Sequence, residues 1–436
     1  MLAPLSNPIF RRLFAAQAVA LTGTGLATVA LGLLAYDLAG DNAGAVLGTA
    51  LAIKMIAYVT LAPLAAALAS RLPRRAFLVA LDLIRAAVVF ALPFVDQVWQ
   101  IYLLIFLLQA ASAGFTPAFQ ATIPEVLPEE SDYTQALSLM RLAEDTEQIA
   151  SPLIAAALLT VVSFPVLFAG TVAGFLLSAV LVGTSRLPSR KPQLPERFWA
   201  TTTKGIRIYA ATPRLRGLLA LEAAVAAAGA MVYVNTVVLV ETRLALGPPQ
   251  VALAFAAFGA GSILAALLLP RFLTRFDDRP LMLSGAALMV AAVAAVPVAT
   301  TFSALLGLWA LAGFGFSLTQ TPIGRILNRS AQEVDRPALF AAQFALSHAC
   351  WLVTYPLAGW LGATLGLGET ALVLATLGAL ALVLTWRFWP ASDPAALAHD
   401  HPDLAPDHPH LAQHHAPHAH AFVIDDLHRH WPRAPG

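Results

Sequence analysis

Residues 70–75 read Ser-Arg-Leu-Pro-Arg-Arg, and on either side lies an apolar stretch, 44–69 and 76–95, long enough to cross a bilayer, which takes about 20 mainly apolar residues. Displaced by 204 residues the pattern recurs: Ser70-Arg71 falls on Thr274-Arg275, and Arg75 on Arg279. The same shift carries Pro93 onto Pro297 and Ser151-Pro152-Leu153 onto Tyr355-Pro356-Leu357. A shift of 205 carries Arg11 onto Arg216 and Gln17 onto Glu222. Runs of alanine and leucine align by chance, but prolines and arginines at one offset argue for two duplicated halves.

Working outward with the same ruler, twelve spans appear at roughly 13–36, 44–69, 76–95, 98–119, 136–160, 163–184, 216–240, 250–273, 281–299, 302–323, 337–364 and 369–389. The chain therefore divides into a six-helix half (1–184), a linker (185–213), a second six-helix half (214–390) and a tail (391–436). The expected fold is an all-α membrane protein of twelve transmembrane helices in two pseudo-symmetric halves. Lys and Arg in short loops stay on the cytoplasmic side. Alternate loops hold Arg71, Arg74, Arg75, the basic linker, Arg271, Arg275, Arg279, Arg325, Arg329 and Arg336, whereas the other set holds only Arg243. Both termini are thus expected in the cytoplasm, with the chain multi-pass in the cell (inner or plasma) membrane. The first apolar stretch, with no small-residue cleavage pattern before it, is read as a structural span.

Composition agrees. Of 436 residues, 58% are hydrophobic and 12% charged, with mean hydropathy +0.73, against about 25% charged in soluble proteins. Lys and Arg (26) nearly balance Asp and Glu (25), so no basic field invites nucleic acid. A single cysteine, Cys350, excludes an intramolecular disulfide and a CxxC metal site. There is no Gly-x-x-x-x-Gly-Lys loop for ATP. Nor do the loops show a nucleophile with its base or a cofactor fingerprint. The chain is read as no enzyme, with no resident cofactor and a monomeric state in the lipid bilayer.

Arg71, Arg74 and Arg75 sit where the major facilitator superfamily has its Gly-x-x-x-Asp-Arg-x-x-Arg-Arg loop, and from residue 10 to about 390 the chain resembles that family. Here Ala66 replaces the glycine and Ser70 the aspartate. The resemblance implies a gating role for Arg71, Arg74 and Arg75, with Asp82 and Arg85, three apart on the third span, as a substitute charge pair. Ser151-Pro152 resembles the Gly-Pro of the family's antiporter motif, with serine for glycine.

An ionisable residue inside a span is expensive and marks a functional path or a partner. The fifth span holds Arg141, Glu144, Asp145 and Glu147. Arg141 and Asp145, four apart, form the natural ion pair, leaving Glu144 and Glu147 as carboxylates for the cavity. The 204-residue shift places Glu144 on His348 in the eleventh span, where His348, Trp351 and Tyr355 share a face. Carboxylates facing an imidazole across a central cavity suit a divalent transition metal. Lys54, in the second span, needs an ion-pair partner, and Glu222 in the seventh is a candidate proton carrier, with Arg141 and Asp145 tuning the exchange.

Ten of the eleven histidines lie in the tail, including His399, His401, His408, His410, His414, His415, His418 and His420. Its Pro, Ala, Asp and His composition predicts disorder, with a short docking element from Phe422 to Trp431. Clustered imidazoles predict metal binding, and a tethered collector raises metal concentration at the cytosolic mouth. Tail, eleventh span and acidic fifth span together resemble nickel-resistance exporters of the superfamily. That resemblance implies proton-coupled efflux of a divalent metal as substrate, nickel first, with cobalt, zinc or iron possible. The alternatives are export of an organic compound, such as a drug or siderophore, and a metal-sensing receptor without flux.

Overall fold

The computed structural model describes residues 2–39, 43–188, 198–246, 248–393, 396–399, 418–420, 422–425, 427–428 and 430–432. The first half is built from α1 (Pro8–Ala39), α2 (Ala43–Ala69), α3 (Arg74–Ala91), α4 (Val98–Gln120), the short α5 (Ile123–Val126), α6 (Glu130–Leu159) and α7 (Phe164–Gly183). Helix α8 (Phe198–Ala211) occupies the linker. The second half follows as α9 (Pro213–Val238), α10 (Pro248–Phe272), α11 (Asp278–Ala294), α12 (Phe302–Gln320), the short α13 (Ile323–Asn328), α14 (Arg336–Thr364) and α15 (Leu367–Phe388). Eleven of these helices are long and apolar enough to cross a membrane. The remaining long helix, α6, is the charged fifth span, so the chain is a multi-pass membrane protein whose membrane-spanning part is all-helical.

Local chemistry sets the helix ends. Pro93 and Pro297, aligned by the repeat, sit in matching 3-10 turns, Leu92–Phe94 and Val296–Val298, that close α3 and α11. A proline cannot donate to the preceding turn, so it stops the helix at the same point in each half. Pro213 opens α9, where a missing N–H costs nothing. Helix α6 starts about six residues before the span read from hydropathy, because Glu130 and Asp132 form a polar first turn that suits a helix N-terminus.

Packing inside a membrane relies on close approach rather than on hydrophobic drive. A Cβ at Gly261 of α10 would strike the Ala310 carbonyl of α12, and one at Gly313 of α12 would strike the Phe258 carbonyl of α10. Glycine at both positions lets the two backbones touch. Gly285 and Gly315 do the same between α11 and α12. Trp309 is fully buried in the second half, its indole N–H donating to Thr236 Oγ1 at 2.8 Å.

The halves meet along two seams, α6 against α10 and α2 against α14. At the end carrying the arginine loops, here the basic end, the seams are closed. Arg325, on α13, reaches Glu130 of α6 through Nη2 (2.6 Å) and bonds Thr134 through Nη1, while its Nε donates to Asp278 at 3.0 Å. Ala62 and Ala113 of the first half pack against Ala341 and Ala345 of the second. Helix α8 bridges both halves, touching α2 and α14, with Lys204 paired to Asp335 at 2.8 Å.

The tail departs from the expected disorder in its described parts. Leu397–His399 (β1) and His418–His420 (β2) form an antiparallel ladder. Phe422 and Ile424 are buried in the core of the second half. Arg214 and Arg329 hold Asp393 between them at 2.9 and 2.6 Å, Gln332 donates to Asp425 at 2.7 Å, and the Arg214 guanidinium lies 5.1 Å from the Trp431 ring. The physical reason is the tail's apolar triplet, Phe422-Val423-Ile424, from which Phe422 and Ile424 are buried against the second half.

Candidate functional site

On α6, Arg141 Nη2 lies 2.5 Å from Asp145 Oδ1, and Ser262 of α10 donates to the other Asp145 oxygen at 2.6 Å. Arg141 also reaches Glu144 at 3.4 Å and places its guanidinium 4.6 Å from the Phe316 ring. Glu144 is a third exposed, the open carboxylate of the group. Glu147 points elsewhere, against Gly25 of α1, where a Cβ would collide with its carboxylate.

From Phe316 an aromatic run crosses the second half. Phe316 meets Phe258 at 5.6 Å between ring centroids, Phe258 meets Tyr233 at 5.7 Å, Tyr233 meets Trp351 at 5.8 Å, and Trp351 meets Tyr355 at 5.0 Å. His348 sits one turn before Trp351 on α14. Its Nδ1–H donates to the Phe344 carbonyl at 2.7 Å, and its ring packs on Phe344 (4.2 Å) and edge-on to Tyr58 of α2 (4.8 Å).

Glu144, Glu147 and His348 are therefore not brought together as a ligand set. Among the described residues no three of His, Cys, Asp and Glu are placed to hold a metal ion. Pseudo-symmetry explains this: equivalent positions on α6 and α14 line different seams, because α6 pairs with α10 while α14 pairs with α2. Cys350, half-buried, donates to the Leu346 carbonyl at 3.5 Å. Lys54, expected to find an acid, instead lies 5.6 Å from the centre of the Tyr58 ring.

Glu222 is 2% exposed, deep inside rather than at an interface. Each of its oxygens accepts an amide N–H at 3.1 Å, one from Gln320 of α12 and one from Gln343 of α14. The Gln343 carbonyl accepts in turn from the Tyr209 hydroxyl on α8, which links the carboxylate to the linker helix. Tyr209 is fully buried outside the spans, and burial together with the nearby Glu222 pushes its hydroxyl pKa up. The two amides and the tyrosine were missed from sequence. The available signal was two lone glutamines inside otherwise apolar spans.

Of the residues expected to gate, Arg74 is buried in a bidentate pair with Glu125 of α5, Nη2 to Oε1 being 2.6 Å. Arg71 and Arg75 are exposed at the same end. Asp82 and Arg85 do pair, but inside the first half, with Ser178 donating to Asp82 at 2.8 Å. At 1.5 Å per residue Arg85 lies about 16 Å along the helix from Arg74. The pair thus belongs to the interior, and Glu125 is the loop's acidic partner. Of the tail histidines, His401, His408, His410, His414 and His415 lie outside the described residues. For His399, His418 and His420 only the backbone is described, and the ladder sets His399 opposite His418.

The chain is 26% identical over 218 residues to macrolide efflux protein A of Streptococcus pyogenes, a stretch covering 48% of this chain and 53% of that protein. The match thus spans about half the length of that relative. Among solved structures, the human organic anion transporter TETRAN superposes with a TM-score of 0.75 at 12% identity, covering 87% of this chain and 99% of that one. A bacterial homologue of the iron transporter ferroportin, in an outward-facing state, gives 0.75 at 13% identity over the same shares. At such identities these likenesses show the fold alone. The profile of the Major Facilitator Superfamily matches residues 13–242 and 218–406, and the chain belongs to that superfamily of membrane transporters.

Proposed function

We propose that the protein exports an amphipathic organic compound from the cytosol in exchange for protons. The observation that carries this reading is the aromatic run from Phe316 to Tyr355, which begins at the Arg141–Asp145 pair and passes through Trp351, one helical turn from His348. Apolar ring surface with a few fixed polar groups is how organic ligand sites are built. A metal site needs converging ligands, and the described residues supply no group of three His, Cys, Asp or Glu.

Glu222 supplies the proton step. A buried carboxylate without a cationic partner is costly when charged, and its two amide donors hold it in place in either protonation state, since an amide can turn its oxygen to a carboxylic O–H. The charge rule puts the basic end in the cytosol, so the Arg325 clamp closes the cytosolic side and must break for the substrate to enter. The likeness to an efflux protein supports the outward direction.

The test is uptake into inside-out vesicles of a labelled macrolide, a labelled aromatic acid and radioactive nickel under an imposed proton gradient. Organic uptake that collapses with an uncoupler and disappears in Glu222→Gln supports the reading. Nickel uptake with no organic uptake would instead support proton-coupled metal efflux. That second reading has one observation in its favour: the backbone register of the tail ladder sets His399 opposite His418.

A further inference from the structure

Helix α8 is fastened to α14 at three places. Lys204 pairs with Asp335 at 2.8 Å, Gly205 lies where a Cβ would strike the Ala338 carbonyl, and one turn later the Tyr209 hydroxyl donates to the Gln343 side-chain carbonyl. The third contact continues inward. Gln343 Nε2 donates to Glu222 Oε1 at 3.1 Å, so a hydroxyl on the linker helix stands two hydrogen bonds from the carboxylate. Tyr209, Gln343 and Glu222 are all buried, which keeps bulk water from competing for these bonds.

A primary amide donates from one end and accepts at the other, so its neighbours decide which way it faces. The Tyr209 hydroxyl offers a hydrogen, which holds the Gln343 oxygen toward α8 and its N–H toward Glu222. If the amide turned over, its N–H would meet the phenol oxygen, and the phenol hydrogen would need another acceptor inside the protein, at a cost. Gln320 is placed differently. It is half-buried, and its side chain makes one hydrogen bond among the described residues, the one it donates to Glu222 at 3.1 Å. One amide is therefore fixed as a donor, and the other is free to turn.

Burial favours the neutral form of a carboxyl group, whereas N–H donors aimed at it favour the charged form. A proton carrier needs both influences, because it must take a proton and give it up. We propose that Tyr209 is a positioning residue for proton release: it fixes Gln343 as a donor, which keeps Glu222 able to part with its proton, while Gln320 turns to accept the carboxylic O–H. This role rests on Glu222 being the proton carrier of the export reading above. The titratable side chains acting on Glu222 are Tyr209 and Cys350 of α14, both acids, so neither balances a carboxylate charge. Helix α12 carries no charge, and the charges of α11 and α15 sit in their terminal turns. On α14, Arg336 opens the helix and His348 packs on Phe344 and Tyr58. Lys204 is paired with Asp335, Arg214 with Asp393 and Arg325 with Asp278, while Arg207 and Arg216 are exposed.

The experiment is an infrared pH titration of the full-length protein in lipid nanodiscs, following the carboxylic C=O band that disappears in Glu222→Gln. Tyr209→Phe keeps the ring and removes only the donor. It should raise the midpoint of that band by about half to one pH unit, a roughly three- to tenfold gain in proton affinity for one lost hydrogen bond. Gln343→Leu should raise it similarly, and adding Tyr209→Phe to that variant should move it no further. Lys204→Gln, which breaks a different contact between α8 and α14, should leave the midpoint in place. A band that does not titrate between about pH 4 and 10, a midpoint unmoved or lowered in Tyr209→Phe, a further rise in the double variant, or an equal rise in Lys204→Gln would each overturn the proposal. The two readings fail separately. A midpoint set by Tyr209, with no proton-driven organic uptake in the vesicles, removes export and leaves the positioning role. Proton-driven uptake that is lost in Glu222→Gln, with a midpoint indifferent to Tyr209→Phe, keeps the carrier and removes the role.

Discussion

Asp145 is held through both oxygens, by Arg141 and by Ser262 from the opposite half, near the middle of the long helix α6. Removing one partner of a buried pair leaves the other charge stranded, at about 3–5 kcal/mol. Asp145→Asn should therefore lower the thermal midpoint in detergent sharply, and the double variant with Arg141→Gln should recover most of the loss. Glu222→Gln belongs to the other kind. It keeps shape and hydrogen bonding, so the fold should persist while proton-driven transport falls by about tenfold or more and substrate counterflow continues. At this scale the sequence was legible where charge stood against an apolar background: Arg141, Asp145 and Glu222 all declared themselves. Gln320, Gln343 and Ser262 did not, because neutral polar side chains carry meaning only once their partners are known.

Between α10 and α12, Gly261 and Gly313 each face a backbone carbonyl of the other helix. Gly313→Val should push the helices apart and cost at least about 1–3 kcal/mol as an overpacked contact, read as lost monodisperse protein and a lower midpoint. Arg325 joins α13 to α6 and to α11 at one point. Arg325→Ala should shift the population toward a state open at the basic end by about 1 kcal/mol or somewhat more, since one of its arms is largely solvated. Spin-label distances between the ends of α6 and α12 nearest Arg325 would show it. The spans themselves were legible to within a few residues, as were the matched turns at Pro93 and Pro297, because hydropathy and proline act locally. Which seam a helix joins is not local. Glu144 and His348 aligned in the repeat, yet symmetry sends equivalent helices to opposite sides, and a ligand set drawn from alignment alone came apart.

Taken whole, the molecule is two bundles fastened by a linker helix and capped by its own C-terminal segment. Phe422 is buried against the second half beneath Trp431, 5.1 Å away, and Arg214 donates to its carbonyl at 3.4 Å. Phe422→Ala should free that segment without unfolding the bundle, because the segment can detach rather than leave a void. Limited proteolysis between 393 and 432 should then run about tenfold faster, with the twelve helices still protected. The Arg325 clamp has a consequence of its own. Its Glu130 arm is 75% exposed and its Asp278 arm 8%. Mobile ions shrink the Debye length to about 3 Å at 1 M and act on solvated charges far more than on buried ones. Concentrated salt should accordingly loosen the contact between the halves and spare the contact within the second half, so that the balance between an open and a closed basic end becomes a reading of the ionic strength around it.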